Sequence, residues 1–242
     1  MFTVITAVKS ATPTLTHVIP SQGGGEVTAV TSLGDDVFVA RWRSQQVEVY
    51  DAVTLRLQRL LTVPGLGEWP SSLAACPNNN CLYASDWMNS LVHRVELSGR
   101  NAVKKWSVAT DPTGLSVNSE HSLIVTCCDA NKLQEYTTHG SLVRVICLQA
   151  GVTEPWHAIQ LSTGDYVVSQ HTSPGVVSVV GVDGQVVRSY GKSQTSDVGR
   201  MDPLNLAVTK NDDILVVDSN NNRIMLRNIS LGSIQQLHGY VS

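Results

Sequence analysis

Phenylalanine is almost missing, with two in 242 residues, and charge is sparse at 15% of the chain with a net of −3. A thinly charged, mildly acidic chain is not built to hold a phosphate-coated partner by bulk electrostatics. No apolar run approaches the ~20 residues of a membrane-spanning helix. The opening MFTVITAVKSATPTLTHVIP has a short apolar patch broken by Lys9. It lacks the basic front and long apolar centre of a signal peptide, so the expected compartment is intracellular, by default the cytoplasm. Cysteine is present in an odd number, five, which does not suggest a disulfide framework. HExxH, paired CxxC and Gly-x-Ser-x-Gly are all absent.

What is present is valine, leucine, serine and threonine, the composition of strands rather than helices, arranged in a repeat. The stretch DPLNLAVTKNDDILVVDSNNNRIMLRN, residues 202 to 228, reads as strand, hairpin, strand, tight turn, strand. Proline opens four such units, at Pro70, Pro112, Pro155 and Pro203, and an earlier unit begins at Gly25 without one. The starts lie 45, 42, 43 and 48 residues apart. The ends of the second strands, Arg41, Asp86, Cys127, Gln170 and Asp218, lie 45, 41, 43 and 48 apart. Two landmarks keep one period. Four short antiparallel strands recurring every 40 to 50 residues or so make a propeller blade, because a lone blade cannot bury both faces and stacked blades can. A β-sandwich would not explain matched residue types at a fixed period.

The fold class expected is therefore all-β, a propeller of four-stranded antiparallel blades filling 1–242 as one domain. Its units span about 25–69, 70–111, 112–154, 155–202 and 203–242. Five repeats are visible and five to six blades are expected. Residues 1–24, through LTHVIP, supply a ring-closing strand, or else the chain stops before a last blade.

Antiparallel order puts the residues before strand one and after strand two on the same side of a blade. One face thus collects Trp69, Trp156 and His157 from the strand-one starts. It also collects Arg41, Trp42, Asp86, Trp87, Cys127, Cys128, Gln170, His171, Asp218 and Ser219 from the strand-two ends. Four of the five tryptophans are in this set, and Trp106 falls in an outer strand. Exposed tryptophan and arginine are enriched where partners bind. The alternative for each tryptophan is packing against the next blade. Asp86 and Asp218 are expected to accept hydrogen bonds from the turn that follows them.

Seven histidines invite a metal search: His17, His93, His121, His139, His157, His171 and His238. None recurs at one repeat position, as a metal held by several blades would require. Opposite His157 in the last unit stands Asn205, the one equivalent able to assist a ligand. No cofactor or metal is expected. Cys76 and Cys81 flank PNNN in a hairpin, at facing positions that would cross-link in an oxidising compartment and stay thiols in the cytosol. Asn228-Ile229-Ser230 fits a glycosylation sequon that has meaning only on secretion.

The last unit, through Pro203, Asp218, Asn220, Asn221, Asn222 and Arg223, resembles the NHL repeat. The second unit is similar through Pro70, Tyr83, Asp86 and Asn89. The third and fourth carry Cys127 and Gln170 in place of the aspartate, and the first has Arg41. The resemblance is to the NHL domains of tripartite-motif-type proteins, which implies a non-catalytic platform at the end of a longer chain. A protein partner is the leading reading. RNA is the second, with Arg41, Arg43 and Arg200 as its basic residues. A carbohydrate ligand, or a hydrolase or lyase with its site at the axis, is the third. No membrane partner is expected.

Overall fold

The computed structural model describes residues 2–3, 18–19, 25–99, 101–191, 201–209, 211–221, 223–228 and 234–237. Arg200, Asn222, His17, His238 and the second and third sequon residues lie outside them. Among the described residues there is no helix, and therefore none long and apolar enough to cross a membrane. Of residues 1–24, β1 (Phe2–Thr3) pairs antiparallel with β2 (Val18–Ile19) in a two-stranded sheet.

The remaining strands form the five four-stranded antiparallel blades of a β-propeller. Blade one is β3 (Val27–Leu33), β4 (Asp36–Arg41), β5 (Gln46–Asp51) and β6 (Leu57–Thr62). Blade two is β7 (Pro70–Cys76), β8 (Cys81–Asp86), β9 (Leu91–Glu96) and β10 (Val103–Ser107). Blade three is β11 (Pro112–Val117), β12 (Leu123–Cys127), β13 (Lys132–Tyr136) and β14 (Leu142–Cys147). Blade four is β15 (Pro155–Gln160), β16 (Tyr166–Gln170), β17 (Val176–Val180) and β18 (Val186–Tyr190). Blade five is β19 (Pro203–Val208), β20 (Asp213–Asp218), β21 (Arg223–Asn228) and β22 (Ile234–Leu237).

The two sequence landmarks are one rung of the ladder. Pro70 faces Asp86, Pro112 faces Cys127, Pro155 faces Gln170 and Pro203 faces Asp218. In blade one the rung is Val27–Arg41, two residues beyond Gly25. A β-bulge follows the rung in every blade. An extra unpaired residue bends the strand there and raises its local twist. Proline suits the first residue of a strand, since it has no amide to give the ladder.

The chain divides into two compact units, Ser21–Val145 and Met1–Pro20 with Ile146–Ser242. In the first, period-two alternation along β8 fills two interfaces at once. Leu82 and Ala84 pack with Phe38, Ala40, Val47 and Val49 of blade one. Cys81 and Tyr83 pack with Leu115, Leu123, Val125 and Tyr136 of blade three. Burying one leucine such as Leu82 contributes about 1.5–3 kcal/mol, which is why the second strand of each blade reads as nearly continuous apolar sequence. In the second unit the same role falls to Ile159, Val167, Val177 and Val179 of blade four against Leu206, Ile214, Val216 and Met225 of blade five.

Polar pins join successive inner strands. Ser85 Oγ accepts from Ser72 N–H at 2.7 Å, and Ser72 Oγ accepts from Leu115 N–H at 3.0 Å. In the second unit Ser169 Oγ accepts from His157 N–H at 3.1 Å, and His157 Nδ1 accepts from Leu206 N–H at 3.2 Å. Each satisfies a backbone donor that burial would otherwise orphan.

Candidate binding surface

In all five blades the residue after strand two donates its amide to the carbonyl of the residue before strand one. The pairs are Trp42–Glu26 (2.8 Å), Trp87–Trp69 (3.4 Å), Cys128–Asp111 (3.2 Å), His171–Glu154 (3.0 Å) and Ser219–Asp202 (3.0 Å). Strand-one starts and strand-two ends therefore do share one edge of each blade.

In the first unit this edge gathers three tryptophans. The Trp42 and Trp69 rings lie 5.9 Å apart at 60°, and Trp69 and Trp87 lie 5.8 Å apart at 52°. Trp69 is 41% exposed and Trp87 37%. The Arg43 guanidinium carbon sits 4.2 Å above the Trp42 ring. Arg43 Nε is 3.8 Å from Glu68 Oε2, with both side chains well exposed. Arg43 has a left-handed backbone, φ 60°, at the turn after β4. Met88, beside Trp87, is exposed as well.

The polar neighbours behave differently. Arg41 is buried and bonds Glu48 Oε1 at 2.8 Å and the Gly25 carbonyl at 3.2 Å. The bond to Glu48 raises its pKa above the ordinary guanidinium value, against the opposing effect of burial. It therefore faces inward, and Arg43 alone carries exposed positive charge at this turn. Asp86 is fully buried. It accepts from Gly67 N–H (2.9 Å), Asn89 N–H (3.3 Å) and Asn89 Nδ2 (2.9 and 3.0 Å). His93, also fully buried, places Nε2 3.5 Å from Asp86 Oδ2, and neither ring nitrogen makes a hydrogen bond. Burial holds its pKa below the ordinary value, outweighing the pull of Asp86 in the other direction.

In the second unit a separate group forms. Trp156 and His171 stack with centroids 5.2 Å apart. His171, half exposed, holds Nδ1 2.8 Å from Asp202 Oδ1, and Ser219 Oγ donates to Asp202 Oδ2. His157 and Gln170 are buried. Gln170 Oε1 accepts from Thr153 N–H at 2.9 Å and its Nε2 donates to Ser178 Oγ at 2.9 Å. Asp218 is buried, with Arg223 Nε and Asn221 Nδ2 each 2.8 Å from Oδ2. Asn205 is exposed on β19. Trp106, in β10 of the first unit, lies between Tyr83 (6.2 Å) and Tyr136 (6.0 Å).

Of the residues predicted for the face, Trp42, Trp69 and Trp87 converge in one unit and Trp156 with His171 in the other. Arg41, Asp86, His157, Gln170 and Asp218 are internal braces. Glu68, Asp202 and His93 were missed. Glu68 and Asp202 stand next to predicted positions, directly before Trp69 and before Pro203, and that adjacency was the available signal. His93 had none, because a buried cross-strand pair leaves no mark on the repeat. Among the described residues no three His, Cys, Asp or Glu side chains converge as a metal site would need.

No protein-family model matches the chain, and no curated protein does. Solved propellers resemble it at low identity. A catalytically inactive virginiamycin B lyase from Staphylococcus aureus with quinupristin is 12% identical, over 93% of this chain and 74% of its own, with a TM-score of 0.69. The nidogen/laminin complex gives 11%, 89% and 81%, with a TM-score of 0.69. Kuenenia stuttgartiensis hydrazine synthase gives 18%, 93% and 70%, with a TM-score of 0.65. At these identities the likeness extends to the fold alone.

Proposed function

We propose that this chain is a non-catalytic protein-binding propeller of the NHL type, acting through the Trp42–Trp69–Trp87 edge of blades one and two. The observation that carries the reading is the contact of Trp69 with both Trp42 and Trp87, Trp69 and Trp87 being more than a third exposed. Packing alone does not call for that exposure, and interface anchors are enriched in tryptophan. A protein fits this edge better than RNA does. Arg41 is turned inward, and the remaining exposed cation, Arg43, is offset by Glu68. The NHL type is supported by the proline–aspartate rungs of blades two and five and the Asn89 and Asn221 side chains bonded to those aspartates. Five free thiols suit a reducing compartment such as the cytoplasm. The test is quantitative capture of protein partners by the wild type and by Trp69→Ala with Trp87→Ala. Loss of ~10-fold or more with unchanged melting supports the reading, since interface anchors contribute on that scale. Unchanged capture contradicts it.

A second reading rests on His171. Oriented by Asp202 and half exposed, it has the arrangement of a general base, and one similar fold is a lyase. Incubation with quinupristin, comparing wild type with His171→Ala, tests it. Conversion of the substrate by the wild type alone supports a lyase, and intact substrate in both rejects it.

A further inference from the structure

The second-strand ends of blades one, two and five each carry a buried charge, and two of the three are neutralised. Arg41 meets Glu48 at 2.8 Å, and Asp218 meets Arg223 at 2.8 Å. Asp86 does not. The ladder puts Leu91 opposite Asp86, where blade five has Arg223 opposite Asp218. The partner of Asp86 in ion-pair range is His93, which burial disfavours from charging. Lys105, across the ladder from His93, lies close enough to oppose the charging of that ring.

This unbalanced carboxylate lies directly beneath the tryptophan edge. It precedes Trp87 in the chain, and Gly67, two residues before Trp69, donates to it at 2.9 Å. A Cβ on Gly67 would stand 2.5 Å from Asp86 Oδ1, so backbone and carboxylate are already in contact. Glu68, between Gly67 and Trp69, adds an exposed carboxylate held only loosely by Arg43. The Trp69–Trp87 end of the edge therefore sets aromatic faces beside two carboxylates, Glu68 exposed and Asp86 buried. Trp42 shows what such a face takes, since it already carries the Arg43 guanidinium at 4.2 Å.

We infer that Trp69 and Trp87 form a docking site for an arginine side chain of a partner protein. The inference rests on the tryptophan edge being a binding surface and supplies its chemistry. A guanidinium is planar, stacks on indole and is more weakly hydrated than an ammonium, so arginine is favoured over lysine. Arg43 limits the site, covering Trp42 and repelling a second cation.

The test uses blocked Gly-Arg-Gly and its citrulline counterpart, which keeps the shape and removes the charge. The readout is the indole N–H resonances of the five tryptophans in the intact chain. The arginine peptide is expected to shift Trp69 and Trp87 saturably in the millimolar range, leaving Trp106 and Trp156 in place. Citrulline should bind at least ~5-fold more weakly, and Glu68→Gln should weaken arginine binding ~2- to 3-fold, the scale of exposed cation–π and ion-pair contacts. Arg43→Gln, an exposed change that cannot unfold the chain by emptying its core, should tighten binding. Equal binding of citrulline, weaker binding by Arg43→Gln, or no movement of Trp69 and Trp87 overturns the inference. If the double tryptophan variant loses its protein partners while the peptide moves neither indole, the binding face stands and the arginine site falls.

Discussion

Asp218 and Arg223 face each other across the β20–β21 ladder, with Arg223 Nε 2.8 Å from Asp218 Oδ2 in a site where the aspartate has no exposure. Removing the cation strands a buried carboxylate. Arg223→Met is expected to lower stability by about 3–5 kcal/mol, measured by urea unfolding. The corresponding change in blade two, Leu91→Met, touches no charge and should cost under about 1.5 kcal/mol.

Gly67 lies against Asp86, and its would-be Cβ falls 2.5 Å from Oδ1 and 2.9 Å from Asn89 Nδ2. Gly67→Ala should therefore displace the carboxylate and destabilise by about 1–3 kcal/mol, read as a lowered Tm. A Tm equal to the wild type's would mean that the linker between the blades yields freely.

His93 gives a pH signature. Its folded pKa lies below the ordinary value near 6.5 because burial disfavours the imidazolium. Above that value neither state holds the proton and His93 contributes no slope. As pH falls below it, the unfolded chain takes up a proton that the native chain refuses. Stability then drops, by at most about 1.4 kcal/mol per pH unit, until the folded pKa is passed. His93→Gln should flatten this part of the profile below pH 6.5. An unchanged profile would place the titration elsewhere.

The cysteines should separate by reactivity. Burial pushes the Cys127 thiol up to about 12 and raises that of Cys81, whereas Cys147 is exposed. In native protein at pH 8 an aromatic disulfide reagent should modify Cys147 first and Cys128, half-buried, more slowly. Cys76, Cys81 and Cys127 should react only on unfolding. Fast native reaction of three or more thiols would contradict the packing between blades two and three.

The architecture was legible because one rung recurs. Pro70–Asp86 and Pro203–Asp218 were visible as landmarks, and a fixed period with alternating burial leaves few other folds. The shared edge was legible from antiparallel order alone. What the pattern could not say is which side chains on that edge face water. Arg41 and Trp42 are neighbours in sequence, yet one is locked to Glu48 inside and the other lies under Arg43 at the surface. That choice depends on the neighbouring strand, where Glu48, opposite Val39, reaches Arg41 diagonally and Leu91 stands opposite Asp86. Such a partner is set by register rather than by spacing along the chain. His171 follows the end of β16, and its tie to Asp202, directly before β19, has no periodic trace.

Whether the tryptophan edge meets a partner is most directly measured by photo-crosslinking in cells. A photoreactive amino acid replaces Met88, 63% exposed beside Trp87, or, as a control, Val53, 78% exposed at the β5–β6 turn. Discrete protein adducts from position 88 that vanish with Trp69→Ala, and none from position 53, are the predicted result. No protein adducts at 88, or the same adducts from both positions, would contradict it.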